Sequence, residues 1–324
     1  MEDAADQKAA RTAEEGGSAS AQGAAPSAGD VAAITVVVPT FNRPEKLKRC
    51  LEALDRQSCS DFVVIVVDDG GRADLGPIVE PFAPRISLVR QSNAGPAAAR
   101  NNGARHARSA FLAFTDDDCE PHPDWLQNLL EELRLTPSQM LGGATENIVP
   151  NNVFSDASQS LVDYLYSYFG ASDGEMPFFA SNNIACSRER YLEIGGFDES
   201  FPLAAGEDRD LGHRWRETGE GLRYCPDAVV HHAHVLGLKS FFRQHWNYGR
   251  GARHLHLALA KRGEFGPRIQ GLGFYFGILL YPLKARRPRA LLQSMVLGLS
   301  QVAMIAGYLR ESLSGRVPKE APQA

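Results

Sequence analysis

Cysteine is scarce in this chain and shows no pairing pattern. The five residues, Cys50, Cys59, Cys119, Cys186 and Cys225, are odd in number and scattered, and none forms a CxxC pair. That spacing indicates neither a zinc site nor a disulfide framework, and a reducing compartment is expected. Net positive charge is also missing: 34 Lys and Arg face 39 Asp and Glu, for a formal net charge of -5. Nucleic acid is therefore not expected as a partner. No apolar core follows Met1, so no signal peptide is expected. Residues 1–32 lack aromatics and are rich in Ala, Gly, Ser, Glu and Gln, which predicts a disordered low-complexity tail. The common phosphate loops are absent as well. There is no GxxxxGK followed by Ser or Thr, and no GxGxxG after the first apolar run. A P-loop kinase and a Rossmann dehydrogenase are both disfavoured.

What remains is an ordinary globular composition, 44% hydrophobic and 23% charged over 324 residues, enough for one large domain with an appendage. Ile34 to Val38 is a β-branched run ending at Pro39, read as a buried strand followed by the loop PTFNRP. Leu47, Leu51 and Leu54 then recur at helical spacing. Phe62 to Val67 is a second strand and ends in Asp68, Asp69, Gly70 and Gly71; Ile86 to Val89 is a weaker third. A turn at Asn93 to Pro96 leads into an alanine-rich helix carrying Arg100 and Asn101. Buried strands alternating with helices predict an α/β fold with a mostly parallel central sheet, and ligands bind beyond the carboxyl ends of such strands.

The stretch FLAFTDDDC organises the rest. A short apolar run, Phe111 to Phe114, leads through Thr115 into Asp116, Asp117 and Asp118. Carboxylates crowded at a strand end repel one another and lose solvation. One reading is a divalent ion, Mg²⁺ or Mn²⁺, holding a diphosphate there. The other is a solvated acidic turn before the helix at Asp124. Further on, Glu207 and Asp208 precede Leu211 and Trp215 on one helix face, where capping by the dipole is a sufficient role for the acidic pair. PDAVVHHAHV follows as a short strand with His231, His232 and His234.

Taken in order, PTFNR, VVDDGG, NAGPAAARNNGA, FTDDDC, GGFDE, GEDRDL and PDAVVHH resemble the family 2 glycosyltransferases, over about Ile34 to His234. The resemblance implies a GT-A nucleotide-sugar-binding fold and an inverting transferase that uses a nucleoside-diphosphate sugar. It places Pro39, Thr40, Phe41, Asn42, Asp68 and Asp69 around the base and ribose, with Arg100 on phosphate. Asp116 and Asp118 match the family's metal ligands, with Asp117 between them at ribose or metal. Asp208 matches the catalytic base, Glu207 being second choice. His232 matches a histidine at the diphosphate or metal, with His234 next. Asn182, Asn183 and Gly195 to Asp198 read as acceptor-side or loop-shaping residues.

Past His234 the resemblance thins. The expected division is a tail over 1–32, a GT-A domain over 33–236 and a helical, partly apolar extension over 237–324. Two apolar stretches, Ile269 to Leu283 and Ala290 to Leu309, flank the basic segment KARRPR. Such a hinge suits helices lying on the cytoplasmic membrane face, while a dimer interface and a hairpin packed on the domain compete with that reading. The expected partners are a nucleoside-diphosphate sugar, a hydroxyl acceptor of lipid-linked or cell-envelope type, and a membrane surface. The rivals are a sugar-phosphate nucleotidyltransferase, whose glycine-rich loop PTFNRPEKL lacks, and a non-catalytic nucleotide-sugar-binding protein.

Overall fold

β-Branched runs that suit a pleated sheet better than a helix build the centre of the molecule. The computed structural model describes residues 31–173, 176–264 and 270–314. Of the tail expected over 1–32, residues 1–30 lie outside the described residues, as does Ile269 at the start of the first C-terminal apolar stretch.

The first half alternates as its pattern requires. β1 (Ile34–Thr40) leads to α1 (Pro44–Asp55), β2 (Phe62–Asp69), the short α2 (Gly76–Val79), β3 (Ile86–Gln91), α3 (Pro96–His106) and β4 (Phe111–Phe114). Then come β5 (Cys119–Pro121), α4 (Trp125–Leu135), β6 (Met140–Asn147), α5 (Val153–Asp173), β7 (Ile184–Ser187), α6 (Arg188–Glu193), α7 (Glu207–Glu217) and β8 (Leu222–His232). The chain continues through α8 (Leu238–Lys261), α9 (Leu272–Lys284) and α10 (Ala290–Leu313).

The strands form one sheet in the order β3-β2-β1-β4-β7-β6-β8-β5. β3, β2, β1 and β4 run parallel, as do β6 and β8, while β7 is antiparallel to β4 and β6, and β5 to β8. Period-two alternation divides the strand side chains between two cores. Val36, Val38, Val64 and Val66 pack with α1 and α4 on one face. Val37, Ile65, Val67, Leu112 and Phe114 pack with the α3, α6 and α7 side on the other. A third core joins α5, α8, α9 and α10.

β1 runs further than its composition indicates. Pro39 and Thr40 lie inside the strand and are buried, Pro39 opposite Val67 and Thr40 opposite Asp68 of β2. This corrects the expected loop placement of Pro39: its ring packs in the sheet, and the open lip begins at Phe41. β4 pairs with β1 only as far as Val37, and β2 alone carries the pairing on through Pro39 to Thr40.

The second half turns on a bulge. The β6–β8 register slips between Gly143 and Ala144. A Cβ on Gly143 would lie 2.0 Å from the Ala228 carbonyl oxygen, so only glycine fits there. Asn183 fastens this irregularity. Its Nδ2 donates to the Ala144 and Ala228 carbonyls at 2.8 and 2.9 Å, and its Oδ1 accepts from Trp125 Nε1 at 2.8 Å. Asn183 is thus spent inside the fold and does not face an acceptor. Gly196, at φ 65, similarly answers a backbone need, since a Cβ there would meet Asn101 Oδ1 at 2.4 Å. Asn183→Ala should leave buried groups unpaired and cost about 2–4 kcal/mol, each such group being worth roughly 1–3 kcal/mol. Urea unfolding checks this, and an unchanged midpoint would contradict the fastening role.

Candidate active site

The aspartate turn sits where β4 stops. Asp116 to Asp118 link β4 to β5, and β5 pairs antiparallel with β8 so that Cys119 faces His232. That register carries the β8 histidines to the acidic turn. Asp118 is only 5% exposed. Its Oδ1 lies 3.3 Å from His232 Nε2, and its Oδ2 lies 3.7 Å from His234 Nδ1. From the opposite side α1 and its approach supply Lys46 Nζ at 3.0 Å and Arg43 Nη1 at 3.3 Å. Asp117 accepts from Thr40 Oγ1 at 2.8 Å and from Arg43 Nη1 at 2.9 Å. Ligand atoms of Asp118, Cys119 and His232 all fall within 4.8 Å of one another. A second such group, His213, Glu217 and Glu264, lies further along α7, where Arg262 Nε already meets Glu264 at 3.0 Å.

Asp116 departs from the expected metal set. It is drawn to Arg100, whose Nη2 donates to its Oδ1 at 2.6 Å. Arg100 is 3% exposed, so its guanidinium is a fixed charge that a neighbouring carboxylate must follow. Its Nη1 stands 3.8 Å from Glu207 Oε1 at the start of α7. One buried cation therefore joins the strand-end turn to the segment carrying Glu207 and Asp208. Among the described residues, Arg100 Nε and Nη1 and Glu207 Oε2 have no hydrogen-bond partner.

The remaining candidates lie at the ends of β1 and β2. Phe41 is exposed. Asn42, at φ 54, accepts from the Arg72 backbone N–H at 2.8 Å and ties the two lips together. Asp68 accepts from the Gly71 N–H at 2.8 Å. Asp69 is more heavily engaged: it accepts from Gln91 Nε2 and the Ala94 N–H at 2.8 Å, and from the Gly95 N–H at 2.9 Å. These three donors tie Asp69 to the 93–95 turn, with Oδ2 accepting only one of them. Beyond that turn opens a cavity of about 610 Å³, bordered by Ala94–Ala97, by Glu199–Ala204 and by Arg250, His254 and Glu311.

Residues 35–195 match the model for glycosyl transferase family 2. Among relatives, a hyaluronan synthase from Pasteurella multocida is 29% identical over 240 residues, covering 63% of this chain and 25% of that protein. The pre-mycofactocin glycosyltransferase of Mycobacterium tuberculosis is 31% identical over 232 residues, covering 68% of this chain and 46% of that protein. This chain belongs to glycosyl transferase family 2. Its alignments span a quarter to a half of those two relatives' lengths. The fold agrees: the mannosyltransferase PcManGT from Pyrobaculum calidifontis, solved with GDP-Man and Mn²⁺, superposes with a TM-score of 0.60 at 18% identity, covering 88% of each chain. The sheet and its flanking helices are thus the GT-A fold.

In this family 2 chain the electrostatics of the site follow from burial and from named partners. Burial works to raise the Asp118 carboxyl, but the His232 and His234 imidazoles and Lys46 outweigh it and hold that carboxyl far below its ordinary range. Burial lifts Asp117 to about 6, with Arg43 and Thr40 pulling the other way. Cys119 stays a neutral thiol, because burial and the adjacent Asp116 and Asp118 push it well up. A neutral thiol is a poor ligand for a hard ion. Burial followed by the Asp208 charge lifts Glu207 to about 8. Asp208 is raised too, by burial, against Arg209.

Arg43 and Lys46 are site residues that sequence reasoning passed over. Arg43 was legible only as the end of the motif PTFNR and Lys46 only as a basic residue beside the α1 leucines; the parallel β1–β4 pairing is what sets α1 beside the aspartates. Glu207 also makes a pH prediction. Unfolded, it ionises near 4.5; folded, it keeps its proton to about 8. The folded chain binds more protons between those values, so stability falls as pH rises across that window. Glu207→Gln should flatten the fall, as read by chemical denaturation at about pH 5 and pH 8. An equally steep fall in the variant would contradict the assignment.

Proposed function

We propose that the chain moves a sugar from a nucleoside-diphosphate sugar to an acceptor hydroxyl in one inverting displacement, with Mn²⁺ or Mg²⁺ held at the acidic turn. The observation that carries this is the Arg100 bridge, which ties Asp116 at 2.6 Å to the Glu207 end of α7 at 3.8 Å. Donor-side and base-side groups then share one cleft. Arg100 Nε and Nη1, buried without partners among the described residues, fit phosphate oxygens.

The donor set fits a divalent ion. Asp118 Oδ1 and His232 Nε2 lie 3.3 Å apart, close enough for these two groups to hold one ion between them. The imidazole favours Mn²⁺ over Mg²⁺. When bound, the ion supplies charge stabilisation to the departing diphosphate. Asp116 would stay beside the fixed Arg100 guanidinium at the edge of that ion's site, and Arg43 and Lys46 would add positive charge beside the leaving group.

Asp208 takes the proton of the acceptor hydroxyl. The acceptor oxygen forms its bond to the anomeric carbon as the bond from that carbon to the phosphate oxygen breaks, and the electron pair leaves with the nucleoside diphosphate. Burial makes Asp208 a stronger base than a solvated aspartate, which improves its match to the task. The cavity beyond Ala94–Ala97 supports an acceptor approach from that side. The transfer unit is read as 33–236, with 237–324 as its helical extension.

The acceptor is read as a cell-envelope or lipid-linked glycan, and the working place as the cytoplasmic side of a membrane. A hyaluronan synthase among the relatives and the unpaired buried cysteines support this reading. UDP- and GDP-hexoses screened with Mn²⁺ should reveal a donor through slow hydrolysis. Asp208→Asn should keep the Mn²⁺-dependent thermal shift with the nucleoside diphosphate and lose about 10²–10⁴-fold in turnover. Near-normal turnover in that variant would contradict the role.

A further inference from the structure

The amphipathic pattern of α10 is inverted. Its polar side chains face inward: Gln293 is 1% and Ser300 0% exposed. Gln293 Oε1 accepts from Ser160 Oγ of α5 at 2.8 Å, and Glu311, also buried, accepts from Arg250 Nε of α8 at 2.6 Å. Its large apolar side chains face outward: Leu291, Met295, Val302, Ile305 and Leu309 are all exposed, Met295 by 73% and Ile305 by 61%. At 3.6 residues per turn these five fall within roughly 80° of one another, opposite Gln293, Ser300 and Glu311. α9 adds Phe276, 61% exposed. A helix surrounded by water places these groups the other way round.

The occupant of this face must be apolar where it meets the helices and negative beside them. The loop joining α9 to α10 exposes Lys284, Arg286, Arg287 and Arg289. Arg287 and Arg289 reach back to Asp163 and Asp156 of α5, which fixes this basic corner next to the apolar face. A leaflet containing anionic phospholipid offers both features.

α10 is long and apolar enough to cross a membrane, with a mean hydropathy of 1.5. Its packing prevents that. A Cβ on Gly307 would lie 2.1 Å from the Trp246 carbonyl oxygen, and one on Gly249 would lie 1.9 Å from that of Met304, so α8 and α10 touch backbone to backbone. α8 carries Lys239, Arg243, Arg250, Arg253 and Lys261. A crossing α10 would drag those charges into hydrocarbon.

We propose that the outer face of α9 and α10 seats the protein in the plane of an anionic phospholipid leaflet without spanning it. This deepens, and rests on, the membrane-side location given above; it does not depend on the transfer chemistry. The test is sedimentation of the full chain with vesicles of phosphatidylglycerol and phosphatidylcholine, against phosphatidylcholine alone. The wild type should bind the anionic vesicles, and Met295→Asp with Ile305→Asp should lower that partition at least tenfold. Both positions are exposed, so circular dichroism and Mn²⁺-dependent donor hydrolysis should stay unchanged. Lys284→Glu with Arg286→Glu should abolish the preference for anionic vesicles. No vesicle binding, or undiminished binding by the aspartate variant, overturns the proposal. So does a concentration-dependent dimer that the aspartate variant dissociates while vesicles go unbound, which would give the face to a second copy. Vesicle binding without any donor hydrolysis leaves this proposal standing and removes the transfer reading.

Discussion

Carboxylates at the end of a buried strand need cations or hydrogen-bond partners, and the chain brings both from several elements at once. Arg43 and Lys46 come from the start of α1, His232 and His234 from the end of β8, and Arg100 from α3. None of these is near Asp116 to Asp118 in sequence. The sheet order accounts for their meeting. β1 and β4 are parallel neighbours, so α1 and the aspartate turn emerge at the same edge, and β5 pairs with β8 so that the histidines arrive from behind. The charge cluster and the topology are two descriptions of one constraint.

That constraint extends to the second half. Arg100 is buried and must be neutralised, and it meets Asp116 on one side and Glu207 on the other. Asn101, its neighbour on α3, accepts from Tyr191 Oη at 2.6 Å and donates to the Phe197 carbonyl at 2.8 Å, fixing the loop that leads to α7. One turn of α3 thus positions both the buried guanidinium and the loop that leads to the helix carrying Asp208. The price is a half-satisfied network, with donors on Arg100 and an acceptor on Glu207 unmatched among the described residues. Such unmatched groups in a cleft are where a charged substrate finds its contacts.

Much of the sheet was legible because buried parallel strands read as continuous β-branched runs, as at Ile34 to Val38 and Phe62 to Val67. Pro39 was misplaced because proline signals a strand end locally, whereas β2 on one side carried the pairing past it. The tie between Asp69 and the 93–95 turn joins residues more than twenty positions apart, and no local pattern announces it. Asp116 was grouped with Asp118 through the family resemblance, and its ion pair with buried Arg100, 16 residues away, was not visible in that motif. The apolar character of α10 was visible, and its inverted orientation was not, because which face is covered depends on α5 and α8.

In the proposed reaction Asp118 and His232 seat a divalent ion that grips the nucleoside diphosphate. Electron paramagnetic resonance of Mn²⁺ titrated with UDP or GDP tests it directly. A bound-Mn²⁺ signal is expected in the wild type, lost in Asp118→Asn and weakened in His232→Ala at unchanged thermal stability. A signal in Asp118→Asn equal to the wild type would contradict it.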